Sequence, residues 1–527
     1  MPLAAPAKKR LISVHGWSAT VLAILLYVVM LTGTVVVLED EIAYWSGGKA
    51  EIETPFKDGF GDVLEHYAAQ VPQPLREELI VTGSGPASAR LMFHGHIETQ
   101  EGGHEEFYRV FEVNSTTGHL LSAQAGRAED IEFQQPHHFL AQFWREMHVR
   151  LHVPGALGLY LTGIAGMAML VMAVTGVLIH RHIIREIFVG GRPGNRLVSY
   201  RDRHNLVGVW SLPFAVILSI TGTFYSFATS LALPVGAISA FNGDQEAALA
   251  AVLRATPPHI EQQSDMADFD QIIERAEKEA NAPVELVIAY NWGLANSEIV
   301  TRHVLMDRQL LRTQLLFDGN TGALREQVVS IGDQPSFGNA LLELMAPLHF
   351  GDFAGLPSKI VWVLLGAAMT YTIVSGLQLW LRRRSDDPAW QSGARAMMMT
   401  VWGLPLALVA SAYGFFLGGL GNAQEALTVC SFLGALTACI LWERIARKTP
   451  VERLAFRMIQ CLGLSLLVLP LVRLQMGGTP WAEAAQAGAG SVLAMDVLCA
   501  GLGFSCLAHA RSRQQRRNTH EAAAPAE

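Results

Sequence analysis

The chain has 527 residues, half of them hydrophobic and only 16% charged. Soluble proteins carry about 25% charged residues, and here the apolar residues come in long blocks, which excludes an ordinary soluble enzyme and points to a polytopic membrane protein. The formal net charge of −8 argues against a nucleic-acid partner.

Lys8-Lys9-Arg10 precede an apolar run from about His15 to Leu38. It is longer than the core of a signal peptide, and Glu39-Asp40-Glu41 follows in place of a small-residue cleavage site. Residues 1–40 are therefore expected to be a cytoplasmic N-terminus and a first transmembrane helix. A polar, soluble-looking segment of about 41–145 follows. Within it Tyr108–Val113 alternates as a strand and enters a turn at Asn114–Gly118.

A second span is expected within 146–182, a basic cytoplasmic connector at 183–203 and a third span at 204–230. The second polar segment, 231–347, repeats the strand-and-turn signal at Leu315–Gly322. A fourth span lies within 348–384 and ends in Arg382-Arg383-Arg384. Four further apolar blocks occupy 385–510, and 511–527 reads as a disordered cytoplasmic tail. Positive charge follows every second span, so the eight helices place both termini in the cytoplasm and both polar segments on the far side.

The five cysteines are Cys430, Cys439, Cys461, Cys499 and Cys506. They form neither a CxxC pair nor a CxxCH haem-attachment motif, so any haem is held non-covalently.

Histidines mark the span ends. His15 stands 18 residues before Gly33 of Thr32-Gly33-Thr34, and His204 stands 18 before Gly222 of Thr221-Gly222-Thr223. The second span ends in Thr175-Gly176 and His180, the fourth in Ser375-Gly376 and Trp380. His148 and His349 precede those glycines by 28 and 27 residues. Helix, polar segment, helix thus occurs twice. Pseudo-two-fold packing would pair His15 with His204 at the inner face and His148 with His349 at the outer. His180 is an alternative inner ligand. His152, four residues after His148, would share its helical face.

A bis-histidine haem needs two neutral imidazoles from different helices. Each histidine also has a bland reading: His15 beside Trp17 as an interfacial anchor, His137-His138 as a loop pair, His182 as solvated, and His94, His96 and His104 as solvated surface. The Thr-Gly and Ser-Gly pairs fit close helix packing with or without a porphyrin. One distance is awkward. From His152 to His180 is 28 residues, about 42 Å along a straight helix, against a hydrocarbon core of about 30 Å.

His148-Val-Arg-Leu-His152, the Thr175-to-His182 helix end, Arg203-His204-Asn205 and Leu348-His349-Phe350 resemble the PepSY-associated transmembrane-helix family, over about residues 8–385. That family includes inner-membrane reductases of iron–siderophore complexes. The resemblance implies a duplicated four-helix core holding two b-type haems, with two small α+β PepSY-like domains inserted on the periplasmic side. It implies a haem-dependent reductase that takes electrons from a cytoplasmic or quinol donor and passes them to a ferric siderophore or other ferric chelate. The alternative is a haem-free PepSY module that binds peptide as a sensor or protease regulator. No functional resemblance covers the residues beyond 390.

Overall fold

The computed structural model describes residues 5–47, 54–85, 87–98, 104–127, 131, 139–180, 188, 196–251, 253, 256–305, 310–329, 336–419, 422–486 and 488–522. His137, His138, His182 and most of the basic connector lie outside them.

In chain order the elements begin with α1 (Ala5–Val36) and α2 (Glu39–Gly47). The first polar segment follows as α3 (Phe60–Ala68), β1 (Glu78–Gly85), β2 (Ser88–Glu98), β3 (His104–Asn114) and β4 (Leu120–Gly126). Next come α4 (Phe139–Val149), α5 (Ala156–Ile179), α6 (Arg196–Trp210) and α7 (Leu212–Phe227). The second polar segment supplies α8 (Phe269–Ala280), β5 (Val284–Tyr290), β6 (Glu298–His303), β7 (Gln314–Asp318), β8 (Leu324–Gln327) and α9 (Met345–Phe350). The chain closes with α10 (Gly355–Arg382), α11 (Pro388–Gly418), α12 (Asn422–Ile445), α13 (Val451–Gln475) and α14 (Gly490–Ala522).

The chain divides into two units. The first combines residues 1–48, 136–230 and 359–527 and is helical. Among the described residues, eight helices are long and apolar enough to cross a membrane, and each overlaps one of the expected spans; the third, Leu212–Ala240, runs past the expected end at 230 into the segment read as polar. These helices must hide their own polar groups. In α1, Thr20, Thr32 and Thr34 return their hydroxyl protons to carbonyls four residues back, at 2.7 Å each. The acids at the start of α2 suit the positive end of a helix, and Lys359 binds Asp40 and Glu41 at 3.1 and 2.9 Å.

Between α4 and α5 the chain reverses. Leu151 and His152 take left-handed φ of 57° and 54°, and Gly155 has φ 68°. A Cβ on Gly158 would lie 2.3 Å from the Arg150 carbonyl oxygen, so only glycine lets the two helix ends meet. The one-face reading of His148 and His152 is therefore corrected: α4 stops at Val149, and His152 lies in the reversing turn, its ring stacked on Phe143 at 4.4 Å. The 42 Å distance assumed one straight helix and does not apply. The tail is also corrected. α14 continues to Ala522, because Gln, Arg and Ala are good helix formers even in a polar stretch.

The second unit combines residues 49–135 and 231–358. Its eight strands form one antiparallel sheet in the order β4-β3-β2-β1-β5-β6-β7-β8. The two polar segments thus share a sheet, joined where β1 pairs with β5, Val81 opposite Val287. Phe60 and Leu64 of α3 and Phe269 and Ile272 of α8 are buried against Leu79, Phe93, Val287 and Phe317. The two turns read from the sequence match. Asn114 Oδ1 accepts from the amides of Thr116 and Thr117, and Asp318 Oδ1 from those of Asn320 and Thr321. Gly118 and Gly322 follow at φ 69° and 68°, a left-handed conformation that glycine adopts without strain.

Candidate functional site

The helical unit brings together His15 of α1 and His204 of α6. Their ring centroids are 6.5 Å apart and their planes 74° apart. Each ring is held by the motif that ends a neighbouring span. His15 Nδ1 lies 3.0 Å from Thr175 Oγ1, whose own proton goes to Val171 O at 2.7 Å, so the hydroxyl accepts and His15 donates. His204 Nδ1 donates to Thr372 O at 3.0 Å and has Ser375 Oγ at 3.2 Å. Gly376 admits the His204 ring, since a Cβ there would sit 2.9 Å from His204 Cε1, whereas one on Gly176 would meet His15 Cε1 at an ordinary 3.6 Å.

His148 of α4 is seated on α1 in the same manner. Its Nδ1 donates to Val29 O at 2.9 Å, and a Cβ on Gly33 would sit 2.7 Å from its Cε1. In all three rings a proton on Nδ1 leaves the lone pair of the neutral imidazole on Nε2, the tautomer that suits a metal ligand. Along the continuous α1, His15 and Val29 are 14 residues apart, about 21 Å, which a hydrocarbon core of about 30 Å accommodates.

The remaining candidates are placed differently. His180 caps α5 in an extended conformation, its N–H on Gly176 O at 3.1 Å. His152 is an exposed turn residue. His349 lies in the last turn of α9, in the sheet-containing unit, 5.4 Å from the Phe350 ring. His94 and His96 pair with Glu78 and Glu77, at 3.5 and 2.7 Å. No group of three or more metal-binding side chains occurs among the described residues.

Two features escaped the sequence reading. Thr34 Oγ1 of α1 and Thr223 Oγ1 of α7 each lie 2.5 Å from where a Cβ would stand on Gly366 and Gly166. Those glycines are ten residues before Gly376 and Gly176, a spacing present in the sequence and overlooked. The second is a cluster of Trp17, Trp380 and Trp390, with centroids 5.4 to 6.3 Å apart. Arg384 lies 3.5 Å over the Trp380 ring, and Trp380 presses on Gly16, next to His15.

A histidine nitrogen lies about 2.0–2.1 Å from a bound metal such as zinc, and two such bonds plus half a ring on each side give about 6 Å between centroids. The His15–His204 separation of 6.5 Å is close to that value.

An uncharacterized protein of Pseudomonas aeruginosa is 24% identical over 311 residues, covering 56% of this chain and 76% of the relative. The family described as the PepSY-associated TM region matches residues 12–383, which take in all six histidine candidates. With that match spanning well over half of its length, the chain belongs to the PepSY-associated transmembrane family.

Proposed function

We propose that this membrane protein is a di-haem b oxidoreductase of the bacterial inner membrane, which passes electrons to a ferric siderophore or similar ferric chelate in the periplasm. The observation that carries this reading is the pair of neighbouring imidazoles, His15 and His204, 6.5 Å apart and each fixed through Nδ1 by the Thr-Gly or Ser-Gly motif of another span. They would hold one haem, and His148 would supply an imidazole to a second. Bound haem supplies one-electron chemistry. The protein's part is to orient the rings, keep Nε2 basic through hydrogen bonds at Nδ1, and set the potential by burial among apolar helices. The repeated seating of histidine on small-residue motifs supports a duplicated core.

The basic clusters at Lys8–Arg10 and Arg382–Arg384 support cytoplasmic termini. The donor is then a cytoplasmic reductant or a membrane quinol. One electron converts ferric to ferrous iron, which hard oxygen donors hold less firmly, so the metal leaves the chelate.

Absorption spectroscopy of the purified protein tests the proposal. A Soret band with a sharp reduced α-band is expected, as is reduction of a ferric chelate by vesicles, read with a ferrous-iron trap. A colourless preparation overturns it. One observation favours a haem-free peptide-binding module in that event: β4 ends the sheet with Leu120 and Leu121 exposed at 50% and 59%, an edge to which an extended peptide can add.

A further inference from the structure

The family match ends at residue 383 and α11 begins at Pro388. That helix touches both partners of the His148 contact. Pro405 inside α11 has no N–H, so the Val401 carbonyl lacks its helical donor. Tyr27 of α1 fills the vacancy, donating its hydroxyl to Val401 O at 2.7 Å. Tyr27 stands two residues before Val29, the acceptor of His148 Nδ1. Ten residues beyond Val401, nearly three turns along α11, Ser411 gives its proton to Leu408 O and accepts the Trp144 indole N–H at 2.9 Å. Both side chains are buried, Ser411 fully. Trp144 stands four residues before His148, on the same helical face.

The acceptor helix and the histidine helix are therefore each bonded to α11, within one turn of the contact they share. Behind α11 the C-terminal helices form one core with α2 and α4, in which Phe415, Leu462, Leu469 and Val492 pack with Trp45 and Phe143.

We propose that residues 388–522 are a positioning module for His148, with Ser411 and the Val401 carbonyl as the groups that fix the angle of its imidazole. The redox consequence rests on the reading of His148 as a haem ligand. The positional claim stands on the hydrogen bonds alone. The hydroxyl of Ser411 is a positioning group, so Ser411→Thr should retain its effect and Ser411→Ala should not.

The full-length chain carrying Ser411→Ala, Tyr27→Phe or both is compared with wild type and Ser411→Thr. Redox titration and the low-spin electron paramagnetic resonance signal are read first. One of the two haem components is expected to shift in potential and g-value while the other stays fixed, and Ser411→Thr to restore both. The rate at which diethylpyrocarbonate modifies His148, read by peptide mass spectrometry, is expected to rise several-fold in the double variant, with His94 unchanged. Unaltered potentials, g-values and labelling in the double variant overturn the proposal. If His148→Ala keeps the full pigment, the ligand reading of His148 fails instead. The labelling rate then decides: a rise upholds the positioning module and no rise overturns it.

Discussion

Asp496 accepts the indole N–H of Trp45 at 2.7 Å, across 451 residues of sequence. The same carboxylate takes the Trp481 N–H at 2.8 Å and two N–H groups of Arg473, at 2.6 and 3.3 Å. Arg473 is fully buried and Asp496 nearly so. A buried charge persists only when paired and hydrogen-bonded, and here the pairing bonds α2 to the C-terminal helices.

Breaking that node from one side should be costly. Asp496→Leu or Arg473→Met leaves a buried charge without its partner, for a loss of about 3–5 kcal/mol. The double substitution Asp496→Leu with Arg473→Met should cost clearly less than the sum. Unfolding in mixed micelles measures both, and additive losses would count against a coupled pair.

The glycines beneath the imidazoles should divide into two classes. Gly376→Ala puts a methyl 2.9 Å from a His204 ring atom and should destabilise by about 1–3 kcal/mol through overpacking. Gly176→Ala meets His15 at 3.6 Å, ordinary contact. It should be neutral or gain up to about 1 kcal/mol of helix propensity. Melting temperatures in detergent check the opposite signs.

Two histidines of the sheet should respond to pH in opposite directions. The hydrogen bond to Glu78, aided by neighbouring carboxylates, raises the pKa of His94 above its ordinary 6.5. Its stabilising contribution is full below 6.5 and is lost as pH rises through the raised value. Burial lowers the pKa of His303, whose Nδ1 donates to Ala282 O at 2.9 Å. That contribution is present above 6.5 and is lost as pH falls through the lowered value. Amide exchange across β1, β2 and β6, followed against pH, should lose its alkaline slope in His94→Gln and its acid slope in His303→Gln.

If His15 and His204 share one iron, His15→Ala, His204→Ala and the double variant should all lose about half the pigment, because removing either ligand already breaks the unit. Haem per protein, assayed after extraction, reads this directly. Stepwise loss would show that the two rings serve different sites.

Much of this molecule was legible in the linear chain, because hydrophobic length and charge asymmetry act locally. The eight spans, the paired turns at Gly118 and Gly322 and the repeated spacing of His15 and His204 needed no coordinates. Other features depended on distant segments meeting. Pro154-Gly155 marks a break just after His152, but did not announce that α4 would already stop at Val149 and turn back, since that reversal is fixed by how closely Gly158 lets the helix ends approach. Nor did Pro405 reveal that the carbonyl it frees would be taken by Tyr27, or Asp496 that it would find Trp45 and Arg473. Hydrogen bonds between remote residues are satisfied only once helices pack, so which polar groups pair was decided by tertiary structure alone.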